Sequence, residues 1–297
     1  MTLRSGDVYF SEQNDSFAIP ETISVFGFSI SFYGLFLVLA VLIGIVVVIK
    51  ETRRRQQDIE RSLTLITLVI LSAVVGARLY YVIFHWQVFA EEPVTLLHFR
   101  SGGLSYYGAV LAAWFLGRQW CKRKKLSFGQ YADILCLGAA AATPLIWLGC
   151  AFVREPMGRF YDGVFSLRIG AEYMTMDTQS VSAQKLAENT RMLGDTAYVS
   201  VHPVALYGAV ITLVIFVLLF FLKGRLKQPG NVFSLYLLLN AVSCFVLELF
   251  RADRCCIWGT KLPANCVMAT VIVLSVAIDW IWHRPAKKKA KKRFLHR

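Results

Sequence analysis

The residues of this chain that can do chemistry gather at the ends of apolar segments. The stretch from Pro144 to Gly163, PLIWLGCAFVREPMGRFYDG, begins as an apolar helix. It ends in a polar loop that carries four charged residues, Arg154, Glu155, Arg159 and Asp162. Pro156 and Gly158 prevent the helix from continuing through this loop. If the apolar part spans a bilayer, the loop charges lie at one membrane surface, where they can bind a lipid head group.

Ionisable residues of other segments fall at the same expected depth. Arg78 lies inside a second apolar segment, and Glu248 with Arg251 closes another. Tyrosine and histidine side chains at this depth are Tyr33, Tyr106, Tyr107 and His202. Ionisable groups within membrane spans are costly, so they usually mark a site or face a polar cavity. Cationic groups at one depth therefore predict a site for an anionic lipid phosphate.

Each of these residues also has a purely structural interpretation. Glu248 and Arg251 are three positions apart on a helix and can simply pair with each other. Arg78 can extend its charge to the outer interface, and the backbone can satisfy His202 at a helix N-terminus. Two aromatic residues are also candidates for an aromatic belt at the membrane surface, Tyr33 and Tyr107.

The elements that position these residues follow from composition. Hydrophobic residues make up 56% of the chain and charged residues only 17%, and the mean hydropathy is positive. This balance indicates an all-α polytopic membrane protein rather than a soluble domain. Seven apolar segments approach the roughly 20 residues that a membrane span requires. They lie near 27–49, 63–85, 104–121, 128–149, 203–222, 231–250 and 262–283.

Loop charges predict the orientation of the spans. Basic residues concentrate after spans one, three and five and in the tail from Lys287 to Arg293. The positive-inside rule therefore places the N-terminus outside and the C-terminus in the cytoplasm. The same basic loops account for most of the excess of 32 Lys and Arg over 19 Asp and Glu, so this excess does not indicate nucleic-acid binding. We expect an extracytoplasmic segment 1–26, a seven-span domain 27–283 and a cytoplasmic tail 284–297. The outer loop at about 154–201 is long enough to form a small cap.

Five motifs are spaced in a recognisable order along this frame. They are GARLYYVIFHW at 76–86, SGGLSYYGAVLAA at 101–113, LGCAFVREPMG at 148–158, HPVALY at 202–207 and ELFR at 248–251. Their combination resembles the prolipoprotein diacylglyceryl transferases, and the similarity runs from about Phe28 to Cys266.

The resemblance implies a bacterial cytoplasmic-membrane enzyme. Such an enzyme transfers the diacylglyceryl group of phosphatidylglycerol to the lipobox cysteine of a prolipoprotein, forming a thioether and releasing glycerol phosphate. Its partners are then phosphatidylglycerol, membrane lipid and a prolipoprotein signal peptide, and no cofactor, metal or nucleic acid is expected. The reaction needs a thiolate nucleophile and fixed cations that stabilise the departing phosphate ester.

The resemblance also implies roles for individual residues. Arg251 and Arg78 are expected to contact the phosphate, while Glu248 and Glu155 orient arginines or polar head-group atoms. A proton acceptor for the thiol is expected among two residues, Tyr107 and His202. Further substrate-binding positions are Tyr33, Gly103 and Gly158.

Four positions depart from the family signature. Trp147 and Cys150 stand where the signature has arginine and asparagine, Gly208 replaces a glutamate, and Cys244 replaces an arginine of span six. An indole cannot neutralise a phosphate, so we expect a transferase of reduced or altered activity. Two alternatives remain open: a non-catalytic paralogue that binds lipid or signal peptides, and a small transporter, although no internal repeat is visible.

The seven cysteines show no CxxC metal spacing. Cys136 and Cys244 are expected to pack in the interior. Four others lie on the expected outer, oxidising side, where one disulfide could form: Cys150, Cys255, Cys256 and Cys266.

Overall fold

Most of the described chain is helical. The computed structural model describes residues 9–10, 22–25, 28–84, 106–170, 183–193, 196–252 and 262–278. Within these ranges lie eight helices: α1 (Phe32–Arg54), α2 (Ile59–Phe84), α3 (Tyr106–Arg123), α4 (Phe128–Phe152), α5 (Ala183–Asn189), α6 (Val204–Leu222), α7 (Asn231–Glu248) and α8 (Ala264–Ile278).

Five of the helices are long and apolar enough to cross a membrane. These are α1, α2, α4, α6 and α7. Each of the seven spans predicted from hydropathy overlaps a helix, and the ends that can be compared differ by up to five residues. The predicted end of the seventh span lies outside the described residues. α3 and α8 are the two helices that are less apolar or shorter. The predicted fold class, a helical polytopic membrane protein, is therefore confirmed. The membrane side of each terminus stays a prediction.

Short strands accompany the helices. In the described ranges they are β1 (Tyr9–Phe10), β2 (Thr22–Val25), β3 (Phe28–Ser31), β4 (Leu167–Gly170), β5 (Thr190–Leu193) and β6 (Thr196–Val201). β2 and β3 form an antiparallel pair. The other strands form an antiparallel sheet in the order β1-β4-β6-β5. Strands β4, β5 and β6 belong to the outer loop that was expected to form a cap, and β1 of the N-terminal segment pairs with β4.

One face of this sheet is apolar. Leu167 and Ile169 of β4 and Val199 and Val201 of β6 are buried, and Met157 packs against them. Alternation along each strand places these side chains on one face. Because Met157 follows α4 by five residues, this packing fixes the loop that leaves the helix.

The chain divides into two compact units. The first unit comprises Met1–Ile43, Ala139–Phe221 and Ser234–Arg297, and the second comprises Gly44–Gly138 and Leu222–Phe233. The sheet belongs to the first unit. That unit also contains six of the nine expected site residues: Tyr33, Glu155, Gly158, His202, Glu248 and Arg251.

Close backbone contact joins α2 to α3 in the second unit. A Cβ atom on Gly76 would fall 2.6 Å from the carbonyl oxygen of Gly108, and a Cβ on Gly108 would meet the backbone of Gly76 and the side chain of Tyr80. Membrane helices approach this closely where small residues face each other. Only glycine therefore fits at either position without a shift of the helices.

The second unit also contains two buried carboxylates. Glu51, near the end of α1, accepts hydrogen bonds from Arg54, Arg55 and Lys223 at 2.5–3.0 Å. Asp133 of α4 accepts hydrogen bonds from the Arg55 guanidinium at 3.3 Å and from the backbone at the start of α7. These acids tie together segments that are far apart in the sequence.

Candidate functional site

Three segments of the first unit are joined by backbone hydrogen bonds at the helix ends. The segments are the loop after α4, the end of β6 and the residues after α7. Four N–H donors and their carbonyl acceptors connect them: Ala252 to Met157 at 2.9 Å, Arg159 to Phe250 at 2.8 Å, His202 to Arg159 at 3.0 Å and Tyr161 to Ser200 at 2.9 Å. This arrangement holds Gly158, His202 and Arg251 in fixed positions in one unit.

Gly158 lies against the backbone of His202. A Cβ on Gly158 would overlap the carbonyl group of His202 and would lie 3.0 Å from its nitrogen. Gly158 also forms an antiparallel bridge with Arg251. The glycine therefore lets the loop after α4 pass between the two segments that carry His202 and Arg251.

We expect Gly158→Ala to lower the free energy of unfolding by about 1–3 kcal/mol, because the new methyl group forces the two backbones apart. Thermal unfolding in detergent measures this loss. Gly224→Ala is the matched control, since nothing lies within 4 Å of a Cβ there. If the two variants unfold at the same temperature, the close approach at Gly158 is not required.

The His202 ring is enclosed by aromatic rings and one hydroxyl. Its Nδ1 atom lies 3.2 Å from the hydroxyl oxygen of Tyr207. Tyr161 stacks on the imidazole with ring centroids 4.0 Å apart and planes 11° apart, and Phe250 contacts it edge-on at 5.1 Å. In the tautomer in which Nδ1 donates to this hydroxyl, the other ring nitrogen is unprotonated and can accept a proton.

Two effects lower the pKa of His202. Burial among the aromatic rings disfavours the charged imidazolium, and the positive charge of Arg159 adds to this effect. An ordinary histidine titrates near about 6.5. His202 is therefore neutral near pH 7, which is the form that can accept a proton.

Glu248 and Arg251 pair at the end of α7. The Arg251 guanidinium lies 3.9 Å from the Glu248 carboxylate, which also accepts a 2.9 Å hydrogen bond from the Asn265 amide. Glu248 is buried, whereas about a fifth of the Arg251 side chain is exposed. The ion pair between Glu248 and Arg251 that the sequence spacing allowed is thus present. It fixes the partly exposed guanidinium of Arg251 next to the loop that contacts His202.

Tyr33 lies where the start of α1 meets the end of α4. A Cβ on Gly149 would lie 3.3 Å from the Tyr33 ring and 3.0 Å from Phe36. The rings of Phe32 and Phe152 stack at 4.8 Å. Glu155 is exposed and follows α4 by three residues. Two of the expected site residues, Tyr33 and Glu155, therefore lie near the end of α4.

Two other expected site residues, Arg78 and Tyr107, belong to the second unit. Arg78 is a residue of α2 in the second unit and is only 6% exposed, which argues against the alternative that it extends to an interface. Tyr107 is the second residue of α3. Gly103 lies outside the described residues. The grouping of these three with His202 and Arg251 stays a prediction.

Two departures from the family signature touch each other. A Cβ on Gly208 would overlap the indole of Trp147, with Cε3 only 2.5 Å away. Trp147 therefore occupies the space that a side chain at position 208 would need. None of the cysteines that the structure describes forms a disulfide, and Cys150, Cys244 and Cys266 are among them. Cys255 and Cys256 lie outside the described residues.

Sequence reasoning missed two aromatic residues of this site. Tyr207 belongs to the HPVALY motif but was not predicted as a site residue. It lies five residues after His202 in the first turn of α6, and this turn returns its hydroxyl to the His202 ring. Tyr161 reaches the imidazole because residue 161 pairs with β6, and no local pattern in the sequence reveals that pairing.

The geometry defines a class of protein. Helices of membrane length carry, at their ends, a neutral imidazole oriented by a tyrosine and a cation fixed by a buried carboxylate. Such a pair can accept a proton and can hold an anion. The molecule is a multi-pass helical membrane protein with a polar site suited to these two tasks.

The sequence profile of the prolipoprotein diacylglyceryl transferase family matches residues 20–282 of the chain. Since this match covers most of the sequence, the chain belongs to that family.

Individual relatives agree with the family match. The phosphatidylglycerol–prolipoprotein diacylglyceryl transferase of Geobacillus kaustophilus is 31% identical over 266 residues, which are 90% of this chain and 92% of the relative. Proteins of the same name from Finegoldia magna and Halalkalibacterium halodurans are 30% and 28% identical. The alignment with the Finegoldia magna protein covers 86% of this chain and 92% of the relative. The alignment with the Halalkalibacterium halodurans protein covers 90% of this chain and 87% of the relative.

Proposed function

We propose that this protein transfers the diacylglyceryl group of phosphatidylglycerol to the lipobox cysteine of a prolipoprotein in the bacterial cytoplasmic membrane. The observation that carries the proposal is the fixed placement of His202 and Arg251 in one unit of a chain that belongs to the transferase family. The reaction needs one group that accepts a proton and one that receives a phosphate charge, and these residues supply both.

In the proposed reaction His202 accepts the thiol proton on its free ring nitrogen. The resulting thiolate attacks the glyceryl carbon that bears the phosphate, so a C–S bond forms while the C–O bond to phosphate breaks. The electron pair of that bond leaves with glycerol phosphate. Arg251 stabilises the charge that grows on the departing oxygen, and Glu248 positions Arg251. Tyr107 remains the alternative proton acceptor. The proposed substrate contacts also include Arg78, Tyr33, Gly103 and Glu155.

The direct test is thioether formation on a lipobox peptide by purified protein in phosphatidylglycerol vesicles, followed by mass spectrometry. We expect Arg251→Ala to lower transfer about tenfold to hundredfold, because it removes a charged hydrogen-bond donor. Arg251→Lys should rescue only part of the rate, since a point charge loses bidentate geometry. Arg225→Gln, a change of an exposed arginine between α6 and α7, is the control. Wild-type protein that transfers nothing would refute the proposal.

The transfer rate is expected to fall at low pH when His202 becomes protonated. Because the pKa of His202 lies below its ordinary value, activity persists below pH 6.5 and is lost as pH falls through the folded pKa. Arg159→Gln removes the repelling charge and should move this acid limb to higher pH. The pH profiles of both proteins give the measurement, and a wild-type rate that does not fall at low pH would exclude His202 as the proton acceptor.

The orientation of the protein, with the N-terminus outside, is a further part of the proposal. It rests on the basic loops after spans one, three and five. A single cysteine placed at Asp177 in a protein without its native cysteines should react with an impermeant maleimide in spheroplasts. A cysteine at Lys288 should react only after permeabilisation. Labelling of Lys288→Cys in intact spheroplasts would reverse the assignment.

A second candidate function is lipid or signal-peptide binding without transfer. The contact between Trp147 and Gly208 favours binding without transfer. This contact is apolar, whereas the family signature has arginine and glutamate at the two positions. Binding of phosphatidylglycerol with no thioether product in the same assay would select this function.

A further inference from the structure

A tight turn just before β4 carries two exposed apolar side chains. It comprises residues 163–166 and is closed by a hydrogen bond from the Ser166 nitrogen to the Gly163 carbonyl oxygen at 3.0 Å. Its central residues, Val164 and Phe165, are 67% and 77% exposed. Phe165 is the most exposed of the large hydrophobic side chains that the structure describes. This segment, the apolar turn, therefore presents a hydrophobic surface outside the protein.

Neither turn formation nor core packing accounts for the two apolar side chains. The central positions of a turn favour proline, glycine, asparagine, aspartate and serine, because these residues supply the required backbone angles or a local hydrogen bond. Valine and phenylalanine supply no such hydrogen bond. The next residues along the chain, Ser166 and Leu167, are buried, whereas Val164 and Phe165 are not. The two side chains are thus available to an apolar partner.

The register of the sheet places the apolar turn near the start of α6. β6 continues into this helix through only two residues, His202 and Pro203. Leu167, the first residue of β4, pairs with Val201, the last residue of β6. Because the apolar turn directly precedes Leu167, it lies at the end of the sheet from which the chain enters α6.

The length of α6 indicates the depth of this end of the sheet in a membrane. A helix rises 1.5 Å per residue, so its 19 residues span roughly 28 Å, close to the roughly 30 Å of a hydrocarbon core. The polar layer on each side of the core is roughly 5–8 Å thick. Val201 precedes Val204, the first residue of α6, by three residues, or at most about 11 Å of extended chain. The apolar turn is therefore within reach of the lipid head groups.

The end of α7 supports the same depth. The Arg159 nitrogen, in the loop that leads to the apolar turn, donates a 2.8 Å hydrogen bond to the carbonyl oxygen of Phe250, two residues after α7. Leu249, directly after the helix, is exposed and continues the exposed apolar surface that Val246 presents on α7. In a membrane-spanning helix, lipid covers such a surface. The loop thus passes the level at which the lipid-facing surface of α7 ends.

We propose that the apolar turn inserts Val164 and Phe165 into the membrane surface and holds the sheet against the lipid. The partner is a lipid surface, and the strength of such an anchor grows with the apolar area that it buries. Tyr161, three residues before Val164, stacks on His202, so the anchor also ties the surroundings of His202 to the membrane surface. This inference goes beyond the proposed transfer reaction and does not depend on it.

Quenching of a fluorescent label by nitroxide-carrying lipid tests the proposal. Phe165→Cys, in full-length protein without its native cysteines, is labelled with nitrobenzoxadiazole and placed in vesicles of phosphatidylcholine and phosphatidylglycerol. Met192→Cys is the matched control, because Met192 of β5 is 66% exposed but pairs with Ala197, near the end of β6 that is distant from α6. We expect a nitroxide near the lipid glycerol backbone to quench the label at position 165 and to leave the label at position 192 bright.

A photo-crosslinker identifies what contacts the apolar turn, and it decides the matter if the protein without cysteines does not fold. In protein that keeps its cysteines, p-benzoylphenylalanine replaces Phe165, and the same vesicles are irradiated with a lipobox peptide present. We expect crosslinks to lipid, detected by mass spectrometry. Crosslinks to the peptide or to a second copy of the chain in place of lipid would overturn the proposal. Equal or absent quenching at positions 165 and 192 would do the same. Neither readout requires thioether formation, so this inference and the proposed function can fail separately.

Discussion

Replacing Asp133 by alanine is expected to lower the free energy of unfolding by about 3–5 kcal/mol, the usual cost of removing one partner from a buried ionic network. Asp133 has no exposed surface. Its carboxylate accepts hydrogen bonds from the Gly230 nitrogen at 3.0 Å, the Phe233 nitrogen at 2.9 Å and the Arg55 guanidinium at 3.3 Å. Alanine would leave two backbone donors and part of a guanidinium without their acceptor.

The matched control is Asp58→Ala in the same unit. Asp58 is about half exposed and caps α2 through the backbone nitrogens of Glu60 and Arg61. Loss of such a cap costs typically about 1 kcal/mol. Thermal and denaturant unfolding in one detergent, followed by circular dichroism, compares the variants. Equal destabilisation by the two changes would show that the buried network adds nothing beyond an ordinary surface contact.

The same network revises how the basic loops are understood. Arg54 and Arg55 follow predicted span one and Lys223 follows span five, so they belong to the basic loops that predict the orientation of the protein in the membrane. In the structure they also bind Glu51, which is 2% exposed. A count of loop charges cannot show this, because residues 51 and 223 come together only through the fold.

Hydropathy predicted the helices well because its physical basis is local. A span needs about 20 apolar residues in a row, and the stretch predicted at 128–149 became α4, Phe128–Phe152. The family motifs likewise placed His202 and Arg251 at helix ends.

The sheet and the surroundings of the site could not be predicted in the same way. β4 and β6 are short, and their register pairs Leu167 with Val201 across a long insertion. Strand pairing at such separation leaves little trace in a local pattern. Tyr161 reaches His202 because its N–H donates to the carbonyl of Ser200 in β6, so this stacking became visible only in three dimensions.

The contact between Trp147 and Gly208 predicts strong coupling between the two positions. Gly208→Glu alone should be destabilising by about 3–5 kcal/mol, since the new side chain meets the indole and buries an unpaired charge. Trp147→Arg alone removes the indole but places a cation beside a glycine that cannot pair with it. In the double variant Trp147→Arg/Gly208→Glu, the arginine and the glutamate can pair with each other.

Unfolding of the wild type, both single variants and the double variant forms a double-mutant cycle. We expect the double variant to be more stable than the sum of the single changes predicts by roughly 0.5–3 kcal/mol. Gly208→Ala tests the steric part alone, because its methyl group carries no charge. Additive effects would show that the indole does not limit the side chain at position 208.

The same four proteins decide what the replacement means for catalysis. If the cation at position 147 stabilises the departing phosphate, the double variant should transfer the diacylglyceryl group roughly 10²–10³ times faster than the wild type, the usual value of one electrostatic donor. Trp147→Arg alone should gain less, because its guanidinium is not positioned by a carboxylate. A wild type that is already fast, and that the double variant slows, would show that this chain stabilises the phosphate through other cations, with Arg154 and Arg251 the first to examine.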